Sequence, residues 1–347
     1  MLAAVYYGPR DIRVEQRPVP EIHHGEALLK VVGTGICGTD LRIYRGSHRK
    51  YSPGDVRIPG HEVVGDIVQV GAEVKGLEIG QRVFVAPNVG CGHCRQCVSG
   101  NHNLCKDYDA IGITLDGSFA EYMLIPPAAI FQGNIIPIDT NIDPASAALI
   151  EPFACVLRGQ SVLDIQPGDT VLVVGAGPIG IMHLILAKLH GANRVILSEL
   201  NPQRASQAAE MGADRVINPA EEDLAAIIRA ETHGEGVDVL IIAAPAHKAQ
   251  EAALELAAIG GRINFFGGLP KERPAISFNS NLVHYKELVV TGTTACSTND
   301  CRRAAAIVNS GKIDLSKLVG ARFPLVDAVC ALQVAEEGKS LKVIIEP

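Results

Sequence analysis

The sequence predicts a two-domain α/β protein, with a β-rich first domain followed by a doubly wound, six-stranded parallel sheet. Three observations carry this. The chain has 347 residues, more than one core usually holds, since compact domains run to about 100–200 residues. Residues 1 to about 155 read as short β segments punctuated by Gly, Pro and Asp, with few convincing helices. From Gly168 onward, apolar runs alternate with helical patterns, the rhythm of strands joined by crossover helices.

In the first part the clearest strands are Ala27–Val32, Gly65–Val70 and Arg82–Ala86. In the second, strands are expected at Val171–Val174, Arg194–Ser198, Arg215–Asn218, Val237–Ile242, Arg262–Phe266 and Leu288–Gly292. Helices alternate with them at Ile179–His190, Pro202–Met211, Leu224–Glu231 and His247–Leu256. A helix around Asp300–Asn309 and a last strand, Lys342–Ile345, have no place in a completed six-stranded sheet, so they are expected to return to the first domain. The expected division is 1–156 with 295–347, and 157–294.

A hydrophobic content of 47% with 20% charged residues describes a folded globular chain. The net charge of −7 offers no surface for a polyanion, and nucleic-acid binding is not expected. Met1–Arg10 lacks a basic segment followed by an apolar core, and no apolar run approaches the roughly 18 residues that span a bilayer. The expectation is a cytoplasmic protein without a membrane partner.

Nine cysteines could suggest disulfides, but the count is odd and four are bunched, which points to metal binding: Cys91, Cys94, Cys97 and Cys105, among Gly90, Gly92, His93 and Gly100. Four thiolates close a tetrahedral shell around zinc and leave no open position, so this loop reads as a structural zinc site. Free thiols, a redox pair and an iron–sulfur cluster are the alternatives. His93 reads as a solvated loop residue.

The segment Val171–Gly180 is a buried strand, a glycine turn and a helix start, the context in which Gly-x-Gly-x-x-Gly signals dinucleotide binding on a Rossmann domain. Gly175 makes the turn, Gly177 admits the pyrophosphate, and Gly180 lets helix and strand pack closely, with Pro178 and Ile179 opening the helix. Glu199, 24 residues beyond Gly175, ends the second strand where a carboxylate binds the adenosine ribose and repels a 2′-phosphate. NAD is therefore expected over NADP. Arg204 can stack on adenine or, instead, bind that phosphate. Phe266 and Gly267 are candidates for backbone approach to the nicotinamide, or form an ordinary glycine turn.

Two further Gly-rich segments carry ligand-type residues, Gly35-Ile36-Cys37-Gly38-Thr39-Asp40 and Pro59-Gly60-His61-Glu62-Val63-Val64-Gly65, and a third carries Glu151. Singly each is weak. Together with the four-cysteine loop, the segment Asp116–Tyr122 and the glycine fingerprint, they resemble the zinc-containing medium-chain alcohol and polyol dehydrogenases along essentially the whole chain.

That resemblance implies a GroES-like catalytic domain and two zinc ions per chain, one catalytic and one structural. It makes Cys37 and His61 ligands of the catalytic zinc, Glu62 the third ligand of the sorbitol and threonine dehydrogenase branches, and Glu151 a carboxylate reaching the metal directly or through water. Three protein ligands leave a position at which an alcohol becomes acidic near neutral pH. Thr39 would relay the proton; the family often ends the relay on a histidine where this chain has Arg42, which cannot accept a proton, leaving water for the later steps. Asp40 reads equally as a turn former or as a carboxylate orienting ligands, and is given no catalytic role.

The same resemblance implies oxidation of a secondary alcohol of a sugar alcohol or cyclitol to a ketone, with Tyr44, Phe119 and Tyr122 as candidate pocket walls, though such aromatics are more often core or loop packing. The basic loop Arg42, Arg45, His48, Arg49 and Lys50 raises a phosphorylated polyol as a variant. Threonine dehydrogenation is the competing reaction, and a non-catalytic NAD- and zinc-binding protein the competing class. Pairing of cofactor domains through the edge near Leu288–Thr293 is expected to give a homodimer or homotetramer.

Overall fold

A computed structural model describes residues 1–347. The chain divides into two compact units, Met1–Ala154 with Cys296–Pro347, and Cys155–Ala295. The first crossing thus falls after Ala154 rather than residue 156, and the return at Cys296 rather than residue 295.

The first unit is built on a seven-stranded sheet in which Val319–Pro324, Lys342–Glu346, Ala27–Gly35, Glu62–Val70, Arg82–Val85 and Ile135–Pro137 lie side by side in that order. Tyr122–Ile125 pairs with Ala27–Gly35 as the seventh. One side of these strands buries Leu29, Val31, Val63, Ile67 and Val83 in a single apolar cluster, as period-two alternation requires. The last strand does return to this unit: Ile344 pairs with Gly35. So does the helix Thr298–Asn309, begun by a capping box in which Ser297 Oγ accepts from the Asp300 N–H and the Asp300 carboxylate accepts from the Ser297 N–H. The strand Val319–Pro324 and the helix Ala328–Glu337 were not read from sequence.

The second unit is a six-stranded parallel sheet ordered Arg215–Ile217, Arg194–Ser198, Thr170–Val174, Val237–Ile242, Ala257–Phe265, Val289–Gly292. Leu172, Ile196, Leu240 and Ile263 are buried on these strands, which explains why they read as unbroken apolar runs. The strand order reverses beside Thr170–Val174, the topological switch at which such sheets bind ligands at their carboxyl ends. The fifth strand begins five residues earlier than expected, at Ala257, with a register shift against Val237–Ile242. No helix is long and apolar enough to cross a membrane.

Candidate metal centres and cofactor turn

Cys37 caps the helix Gly38–Tyr44, and its backbone N–H donates to Asp40 Oδ2 at 2.8 Å. His61 and Glu62 arrive on the neighbouring chain, where Glu62 opens a strand and pairs with Gly35. The turn that delivers them needs glycine: Gly60 has φ of +99°, and a Cβ there would strike the Phe119 ring and Ser118 Oγ. The Asp116–Tyr122 segment braces that turn through Gly117 N–H to Ile58 O, Ser118 N–H to Gly60 O and Phe119 N–H to Pro59 O. Phe119 and Tyr44 are buried in the apolar core, so their sequence reading as pocket walls is corrected: both fill the interior.

One ligand-type atom from each of Cys37, His61 and Glu62 lies within 4.8 Å of the others, and His61 and Glu62 are buried. Asp40, which the sequence left without a role, turns its Oδ1 toward His61 Nδ1 at 3.3 Å without completing an aligned hydrogen bond. A carboxylate behind a histidine fixes the ring and leaves the far nitrogen to face a metal. Burial works against a charged His61, yet Asp40 and Cys37 hold its pKa well above the ordinary 6.5. The same concentration of negative charge fits a dication.

Glu62 has a partner that the sequence did not disclose. Lys342, itself buried, donates to both Glu62 oxygens at 2.7 and 2.5 Å and to the Ile36 carbonyl at 2.9 Å. Burial would lower the lysine pKa, but the Glu62 carboxylate raises it above its ordinary value. Glu151 lies outside the three-residue group. Its helix, Ile150–Ser161, instead sets the carboxylate near Cys296 Sγ, 3.9 Å from Oε1. Thr39 Oγ1 accepts from Arg42 Nη2 at 2.8 Å, and the guanidinium can only donate to it.

In the cysteine loop, Cys91 and Cys97 Sγ lie 4.0 Å apart and Cys94 and Cys105 Sγ 3.8 Å apart, all four atoms falling within 4.8 Å. Four sulfurs at the usual zinc distance would be separated by about 3.8 Å, so this donor set fits a tetrahedral ion. The backbone N–H groups of His93 and Cys94 bring the Cys91 thiol down to about 6, while burial pushes Cys97 up to about 12. His93 is exposed and its Nδ1 bonds the Cys91 carbonyl, outside the ligand set. Gln132 ties the loop down by accepting from Gly90 N–H and donating to Gly90 O.

In the second unit, Gly175 has φ of +102° and follows the strand Thr170–Val174. Gly177 caps the helix Pro178–Leu189, whose first residue, Pro178, gives up no needed N–H, leaving those of Ile179 and Gly180 available to an anion. A Cβ on Gly180 would run into the Gly175 carbonyl oxygen. Glu199 accepts from Ala176 N–H (2.7 Å) and Asn201 N–H (2.8 Å), bracing the turn while keeping lone pairs for a ribose. Arg204 Nη1 lies 4.0 Å from where a Gly177 Cβ would stand. Gly267 approaches the Ala244 backbone so closely that a side chain is excluded, and the Phe266 ring packs beside Gly159.

Residues 23–137 match the family model described as the alcohol dehydrogenase GroES-like domain, and residues 178–310 match that of the zinc-binding dehydrogenases. The chain belongs to the zinc-containing medium-chain alcohol dehydrogenases. This dehydrogenase is 34% identical to sorbitol dehydrogenase of Bacillus subtilis, over 100% of its own length and 97% of that protein. It is 36% identical to L-threonine 3-dehydrogenase of Cronobacter sakazakii, with 94% of each chain covered. Its fold superposes on 2R,3R-butanediol dehydrogenase of Bacillus subtilis with a TM-score of 0.90 at 26% identity, covering 100% and 99% of the two chains.

The dehydrogenase also carries a buried histidine that sequence reading passed over. His183, on the cofactor-turn helix, faces Gln160 Nε2 through Nδ1 at 3.2 Å and stands edge-on to Phe266 with centroids 4.8 Å apart. Burial pushes its pKa down to about 3 from 6.5. Its folded pKa lies below its unfolded one, so its contribution to stability is whole above about pH 6.5 and is lost as pH falls toward 3. His183→Leu is expected to flatten the acid limb by on the order of 3 kcal/mol near pH 4, read from urea unfolding at several pH values. Parallel pH profiles for variant and wild type would contradict this.

Proposed function

We propose that this dehydrogenase oxidises a secondary alcohol of a polyol, a sugar alcohol or cyclitol, to a ketone with hydride transfer to NAD. The observation that carries the reading is the Cys37, His61 and Glu62 group, in which a carboxylate joins the thiol and the imidazole. Such a set fits zinc and leaves a position for a substrate hydroxyl. Cys91, Cys94, Cys97 and Cys105 hold the second, structural ion.

Bound zinc supplies the Lewis acidity that makes an alcohol acidic near neutral pH, and NAD is the hydride acceptor. The chain's own residues do the rest. Asp40 stands behind the His61 ring, its Oδ1 3.3 Å from Nδ1, and favours the orientation in which the other nitrogen faces the metal position. Thr39 takes the substrate proton on its hydroxyl and passes its own to water, because Arg42 can only donate to it. Gly175 and Gly177 open the turn to the pyrophosphate, the helix start at Ile179 and Gly180 supplies N–H groups, and Glu199 selects a ribose without a 2′-phosphate. Arg204, above Gly177, serves the adenosine end.

Of the basic loop, Arg45 is engaged by Glu336 and Arg42 by the Thr39 hydroxyl, and a phosphorylated polyol stays a variant of this reading. Threonine is the second reading, favoured by the 36% identity to a threonine 3-dehydrogenase. A panel of sugar alcohols, cyclitols, their phosphates and threonine, each with NAD and NADP, separates these. The expected result is polyol-dependent NAD reduction at least tenfold more efficient than with NADP; oxidation of threonine alone would replace the substrate assignment.

Val289 is exposed on the edge strand Val289–Gly292, and Tyr285 is exposed at the end of the helix before it, which supports a homodimer or homotetramer paired there. Light scattering that finds only monomer would remove this. The thiol-rich metal loop suits a reducing, cytoplasmic setting.

A further inference from the structure

We propose that Lys342 is a positioning residue that competes with the catalytic metal for Glu62 and thereby sets how tightly zinc is held. The inference rests on the assignment of Cys37, His61 and Glu62 as zinc ligands. Lys342 opens the strand Lys342–Glu346, and Glu62 opens Glu62–Val70; the strand between them ends at Gly35. Gly35 pairs on one side with Ile344 and on the other with Glu62.

A side chain at Gly35 would collide with the Glu62 carboxylate. The missing Cβ leaves the space that the Glu62 carboxylate occupies over the middle strand, where Lys342 Nζ meets it. All three ammonium N–H bonds then find acceptors, namely the two Glu62 oxygens and the Ile36 carbonyl.

This arrangement is more than charge compensation for a buried carboxylate. A zinc ion with one thiolate, one carboxylate and one neutral imidazole is formally neutral; Lys342 returns a positive charge to within hydrogen-bond reach of one ligand. The ammonium repels the dication and holds both oxygens that the metal would use. With Lys342 on both its oxygens, Glu62 would be a weaker ligand than a free carboxylate, and a position would stay open for substrate. Affinity is surrendered for an open, electrophilic site.

The sign of the effect separates this from a structural role. A lysine that only braced the ligand would, on removal, loosen the site and weaken zinc binding. A competing lysine, on removal, strengthens it. The experiment strips the full-length protein of metal and titrates zinc back against a chromophoric chelator, for wild type and for Lys342→Met, Lys342→Gln and Lys342→Arg.

The two charge-removing variants are expected to bind the Cys37 site at least tenfold more tightly, and Lys342→Arg within about threefold of wild type. Affinity at the four-cysteine site is the internal reference for folding and stays unchanged. Lys342→Gln keeps a polar group beside Glu62, so the test survives if Lys342→Met does not fold. Weaker or unchanged binding in the folded charge-removing variants overturns the proposal. Cys37→Ser, run alongside, distinguishes the failures: if it still holds two zincs, the ligand assignment itself is wrong, whereas loss of one zinc without tightening in the lysine variants removes Lys342 alone.

Discussion

Replacing Cys37 with serine is expected to lower kcat/KM for the polyol by roughly 1000-fold or more and to reduce zinc from two ions per chain to one. In the proposed site Cys37 supplies the one thiolate, and a serine hydroxyl does not ionise to replace it at neutral pH. Substitutions that merely orient a ligand cost 10–100-fold, so loss of the ligand itself costs more. A 1000-fold fall corresponds to about 4 kcal/mol of transition-state stabilisation. The fold should survive, because the helix that Cys37 caps keeps the Cys37 N–H to Asp40 bond and its buried residues Ile43 and Tyr44. Metal analysis with steady-state kinetics and circular dichroism reads all three; unchanged zinc would remove Cys37 as a ligand.

The second large effect is expected at Cys97, the most buried position of the tetrathiolate loop together with Cys105. Cys97→Ser should lose the other zinc and lower the melting temperature by about 10 °C. Structural zinc sites bind with roughly 10–16 kcal/mol in isolated peptides, but this loop is also held by Gln132 on Gly90 and by Asn134 on the Ala86 and Asn88 carbonyls. Only part of the binding energy is therefore global stability, about 4 kcal/mol, and a domain of this size shifts by about 2–4 °C per kcal/mol. Calorimetry and zinc content measure it. A variant that keeps both zincs, or melts with wild type, would mean that the loop orders itself without metal.

The parts legible in sequence are those where one residue type is chemically irreplaceable over a short span. Gly175 sits at a positive φ and Gly180 where a Cβ would strike the Gly175 carbonyl oxygen, and the four cysteines are close enough in sequence to share one ion. The parallel strands were legible because burial on both faces leaves nothing but apolar residues, as in Val171–Val174. What was hidden depends on register between distant strands. Nothing near Lys342 or Glu62 says that 280 residues of chain separate the two halves of one ion pair. Asp40 was ambiguous for the opposite reason: it does cap a turn, by accepting from Cys37 N–H, and the same carboxylate also faces His61. Tyr44 and Phe119 could be read as pocket walls or as core, because aromatic identity does not tell which way a side chain faces, and both are core.

The most direct test follows the hydride itself. A polyol deuterated at the carbinol carbon is incubated with the zinc-loaded enzyme and NAD, and the products are examined by NMR and mass spectrometry. The account predicts a ketone that has lost that deuterium, NADH carrying one deuterium at nicotinamide C4, and neither product with Cys37→Ser. Deuterium that stays on the polyol or exchanges into water, or transfer that persists undiminished in Cys37→Ser, would contradict zinc-assisted hydride transfer from a secondary alcohol.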